Sequence, residues 1–61
     1  MAQITEKELG IIKDRLTDEE NLVAKYKFYA SLTEDAEMKN CFEQAAQTHK
    51  KHYDMLFADL K

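Results

Sequence analysis

The sequence predicts an all-α protein folded as an antiparallel two-helix hairpin. Three observations lead there. Apolar residues recur in steps of three and four along nearly all of the 61 residues, which is the period of a packed helix face and not of a strand. Proline is absent and glycine occurs once, so little interrupts a helix within either half. The one credible turn is Thr33-Glu34-Asp35-Ala36, and a connection this short makes the flanking helices antiparallel neighbours.

Residues 1–4 precede the first helix and are expected to fray. The first helix is expected over about residues 5–33. Thr5-Glu6-Lys7-Glu8 has the spacing of a capping box, in which the Thr hydroxyl accepts from the third backbone N–H and Glu8 reaches back. From there an inner stripe runs through Leu9, Ile12, Leu16, Glu19, Val23, Tyr26, Ala30 and Thr33, widened by Leu22 and Tyr29. Gly10 lies off the stripe and weakens the helix by about 1 kcal/mol relative to Ala. Thr17-Asp18-Glu19-Glu20 is a second capping box and allows a break after Leu16. The stripe keeps phase across that point, which favours one continuous helix.

The turn is expected at about residues 34–36, with N-cap candidates for a second helix over about 37–60. The stripe of the second helix is Met38, Phe42, Ala45, His49, His52 and Leu56. Cys41, Thr48 and Met55 flank it on one side, and Ala46, Tyr53 and Leu60 on the other. An apolar arc that wide suits a helix packed against two neighbours. Phe28, Leu32 and Phe57 fall off the stripes. Phe28 and Leu32 are four apart, as an outward patch or as scattered surface residues.

Sixty-one residues make a single domain. The net charge of −3 argues against nucleic acid and anionic membrane as partners. No run approaches the roughly 20 apolar residues of a membrane span, and no signal-peptide core follows Met1, so the expected compartment is the cytoplasm. The lone Cys41 excludes an internal disulfide and fits a reducing interior; it reads as a small hydrophobe or as an intersubunit disulfide. Two helices cannot enclose a core, and chains of this size need a metal, a disulfide or self-association. Two hairpins pairing face to face would give a four-helix-bundle homodimer.

Glu19 is the only charged residue on the inner stripe of the first helix. In a hairpin centred between residues 34 and 35, residue 50 lies level with it, and His49 and His52 bracket that level. One carboxylate and two imidazoles thus meet at mid-height, where burial without partners costs several kcal/mol. Three readings are open: a hydrogen-bonded polar cluster that sets register, a transition-metal site built on facing helices, or helices rotated so that the histidines face water. Tyr26 and Tyr53 are placed to hydrogen-bond to the cluster or to pack as core aromatics.

Glu19, then Tyr26, Phe28, Tyr29 and Ala30, then Phe42 and Glu43, and finally His49 and His52, together resemble the ferritin-like and rubrerythrin pattern. The similarity covers about residues 19–57. Closer in size is the small Coat F-like group of ferritin-like proteins from spore-forming bacteria. Its Leu-x-x-Glu-Glu and Lys-Tyr-x-x-Tyr-Ala segments are similar to Leu16-Thr17-Asp18-Glu19-Glu20 and Lys25-Tyr26-Lys27-Phe28-Tyr29-Ala30, and its second helix to Met38-Lys39-Asn40-Cys41-Phe42 followed by His49 and His52. The resemblance implies a ferritin-like half-bundle that dimerises, a spore-coat setting and other coat proteins as partners. It implies that Glu19 and His52 stand at metal-ligand positions. His49 stands where the family's pattern has a bridging Glu. A dimer would then supply two Glu and four His, a nitrogen-rich set that fits zinc or a single transition metal better than a carboxylate-rich di-iron pair.

No nucleophile–base pairing, Gly-rich phosphate loop or cofactor motif is present. The sequence therefore points first to a non-enzymatic, homodimeric helical-bundle protein. The alternative is a metal-binding bundle holding Zn, Fe or Mn on Glu19, His49 and His52, for storage, sensing or peroxide handling, with oxidase or peroxidase activity as a sub-case.

Overall fold

The structure is a computed structural model and describes residues 4–60. Two helices make up the fold, α1 (Glu6–Leu32) and α2 (Ala36–Ala58), and there is no strand among the described residues. Residues 1–3, within the stretch expected to fray, lie outside the described residues.

Local chemistry fixes where each helix begins. At Thr5 the capping box closes in both directions: the Glu8 N–H donates to Thr5 Oγ1 at 3.1 Å, and the Thr5 N–H donates to Glu8 Oε1 at 3.1 Å. The Thr5 N–H and the Thr5 hydroxyl, which lies 2.8 Å from the same Oε1, both favour the ionised carboxylate and hold the Glu8 pKa below its ordinary value. Thr17 does not cap a second segment. Its hydroxyl donates to the Lys13 carbonyl at 3.2 Å, as an interior helical Thr does, and α1 runs through unbroken. At the turn the Thr33 N–H donates to the Tyr29 carbonyl, and the Thr33 hydroxyl oxygen accepts from the Asp35 N–H. The Asp35 carboxylate then accepts from the N–H groups of Glu37 and Met38, at 2.9 and 3.1 Å.

These two hydrogen bonds, both accepted by Oδ1, make Asp35 the N-cap that starts α2. Asp35→Ala is expected to cost about 1 kcal/mol, read as a lower midpoint in urea denaturation with the slope unchanged.

The helices pack antiparallel. Tyr26 and Tyr29 of α1 meet Phe42 of α2, and Glu19 meets His49. Every residue of the expected α1 stripe, Leu9 to Thr33, is buried or half-buried. The seam on α2 is rotated from the expected one. It consists of Phe42, Ala45, Ala46, His49, Tyr53, Leu56 and Leu60, while Met38 and His52 are exposed. The small Ala46 takes the most buried place on α2, where its methyl lets the backbones approach. The Cys41–Thr48–Met55 flank is thereby left without a neighbour, and Cys41 is exposed rather than a buried hydrophobe.

The hairpin encloses little. Its only buried apolar residues among those described are Ala30 and Ala46, and no large side chain is fully buried. The Cα atoms span 47 × 17 × 10 Å, the thickness of one helix.

Candidate metal centre

Glu19 stands at the midpoint of α1, and its side chain keeps 4% of its surface exposed. Two things bury it: the neighbouring positions Leu16 and Val23 lie on the same stripe, and α2 crosses at this height. A carboxylate there must find partners, and it finds three. His49 Nδ1 lies 2.6 Å from Oε1, and His52 Nδ1 lies 3.3 Å from Oε2. Arg15, one turn before Glu19 on α1, donates from Nη2 to Oε2 at 3.3 Å. An ionised carboxylate only accepts, so the His49 contact places the proton on Nδ1.

The partners are progressively wetter. The His49 side chain is 25% exposed, His52 47% and Arg15 57%. His49 is held from behind by Tyr26, whose ring lies parallel to the imidazole at 5.7 Å between centroids. His52 meets His49 edge to face at 5.5 Å and opens with Arg15 onto a surface recess that Met55, Leu56 and Asp59 also line. Tyr26 therefore orients the cluster by stacking. Tyr53 stacks on Phe57 instead. The third reading of the sequence, with both histidines facing water, does not describe His49.

Burial pushes the Glu19 carboxyl up. Hydrogen bonds from His49 and Arg15 and the charges of His49 and His52 outweigh it, and the pKa lies below its ordinary value of 4.5. The unfolded chain thus binds the proton more readily. Stability from this group is complete above about pH 4.5 and is lost as pH falls through the lower folded-state value. The thermal midpoint of the metal-free protein should drop on acidification below pH 4.5. That drop should be shallower in Glu19→Gln.

One donor atom from each of Glu19, His49 and His52 lies within 4.8 Å of the others, with two residues on α2 facing one on α1. Ligands around a tetrahedral zinc stand about 3.3 Å apart. For a metal to bind, the wider-spaced donors draw in, the 2.6 Å Glu19–His49 hydrogen bond opens, and His49 ligates through a nitrogen free of its proton. Two imidazoles and one carboxylate suit zinc, and equally iron or manganese, and leave coordination positions open. The donor set fits a divalent transition metal. Arg15 is the participant that sequence reading missed, although its place four residues before Glu19 is the spacing of a helical ion pair.

No protein-family model matches this chain, and neither a curated protein nor a solved structure matches it.

Proposed function

We propose that this chain is a metal-binding building block of a helical bundle: its hairpins pair as homodimers, and Glu19, His49 and His52 hold a divalent transition metal, zinc foremost. The observation that carries the reading is the convergence of three ligand-type donors from two helices at mid-height of the hairpin. His49 and His52 supply the borderline-soft nitrogens and Glu19 the charge that offsets the cation. Arg15 and Tyr26 orient the carboxylate and one ring. A bound ion would supply Lewis acidity at its open positions; the residues present bind and position it. The role is one of binding and assembly, in keeping with the resemblance to ferritin-like half-bundles and their Coat F-like relatives.

A second reading has its own support. Among the described residues no buried polar side-chain atom lacks a hydrogen-bond partner, so the cluster is also self-sufficient as a polar device that fixes the register of the helices.

Cobalt(II) titration separates the two. The metal reading expects tetrahedral visible bands that saturate at an integral ratio per dimer and vanish on adding zinc. A spectrum no different from free cobalt would leave the polar-cluster reading in place.

A further inference from the structure

We infer that one particular face of the hairpin, bearing Ile11, Leu22 and Tyr29 of α1 with Met38, His52 and Met55 of α2, is the surface that a second copy of this chain covers, and that the covering copy closes the metal site over His52. The inference rests on the paired-hairpin reading for its partner. It adds the face and the consequence for the site.

The two broad faces of the hairpin differ in chemistry. Ile11, Leu22 and Tyr29 fall eleven and seven residues apart, near whole numbers of helical turns, and so share one side of α1. Met38, Cys41, Ala45, Thr48, His52 and Met55 descend α2 in steps of three and four on the matching side. Arg15 and Met55 share a recess with His52, which shows that these two sides belong to one face. Ile11 is 55% exposed and Met55 69%, and Tyr29 and Met38 are exposed as well, so these apolar side chains have no cover within the chain. Arg15 and Asp59 beside His52, and Asp18 and Lys25 beside Leu22, stand among them as the charged groups of this face. The opposite face carries Glu20, Lys27, Glu43, Lys50 and Lys51 around the shallow groove over Val23 and Ala46. That charged rim suits water.

The occupant follows from layering and area. A single layer of helices has no second layer against which to bury its stripe. The hairpin measures 47 × 17 Å across its broad side, roughly 800 Å², the area one partner contributes to a standard stable interface. A second copy presents the same length and the same apolar side, as a two-fold interface requires. Because Glu19 sits at the midpoint of α1, a two-fold through the middle of this face sets the two clusters level and removes the remaining water from His52.

Cys41 reports on this directly. It is exposed in the single hairpin and lies on the inferred face. The test measures the alkylation rate of Cys41 in the wild-type protein across a dilution series, with mass followed by light scattering. The inference expects the rate to fall about tenfold or more as dimer forms, in proportion to the dimer fraction. Met55→Glu should abolish the dimer, while Phe57→Glu, beside Tyr53 on the charged side, should keep it. A dimer in which Cys41 reacts at the monomer rate would overturn the face and leave the paired-hairpin reading standing. A chain that stays monomeric at every concentration would overturn both.

Discussion

Glu19→Ala is expected to remove stoichiometric metal and much of the stability of the fold. Three groups converge on this carboxylate, and Asp59 is the other acid lining the recess beside Arg15 and His52. Deleting it leaves two imidazoles and a guanidinium facing one another. His49 is three-quarters covered, so its loss is felt most; Arg15 and His52 re-enter water at small cost. About 2 kcal/mol is the expected total, the order of one charged hydrogen bond broken with its partner left behind. A hairpin this small has only a few kcal/mol to lose. Metal affinity should fall well beyond the 10–100-fold that follows loss of a mere supporting contact, because a ligand is gone. Glu19→Gln guards against a trivial result. It keeps the shape and a carbonyl acceptor, so it should fold and still bind metal poorly. Circular dichroism and zinc titration of both variants check the pair of effects.

The second large effect runs the other way for stability. Replacing Glu19 and His49 together by Leu should abolish metal binding while leaving the helices as stable as before, or more stable by about 1–4 kcal/mol. The reason is that the seam is otherwise apolar at this height, between Leu16, Val23 and Ala46. Leu at both places would remove the desolvation of a carboxylate and add apolar area, and His52 and Arg15 are already wet enough to remain solvated. Thermal denaturation of the metal-free double variant against metal-free wild type measures it. A double variant that fails to fold would show that the polar cluster is itself the register device. A stable, metal-blind one would show that polarity was kept at this level for something other than folding.

These two substitutions bear on how much was legible beforehand. The rotation of α1 was readable because its apolar stripe is narrow and one phase fits every member from Leu9 to Thr33. Glu19 stood out for the same reason, as the one charge in that stripe. The rotation of α2 was not readable to the same degree. Its arc is apolar on both flanks, so period alone does not choose between a seam through His52 and one through Ala46 and Tyr53. Packing chose the small residue, Ala46, and turned His52 to the rim. The meeting of Glu19 with His49 needed only the position of the turn and the rise of a helix. The stacking of Tyr26 on His49 and the reach of Arg15 depend on rotamers, which spacing alone does not specify.

The measurement that bears most directly on the central claim is the metal content of protein purified without a metal-affinity tag, determined by elemental analysis on the same sample whose mass is taken by light scattering. The account predicts a dimer carrying zinc, or another divalent transition metal, at an integral ratio that falls to background in Glu19→Gln. A clean dimer that holds no metal, and takes up none when zinc is supplied and the excess removed, would contradict it.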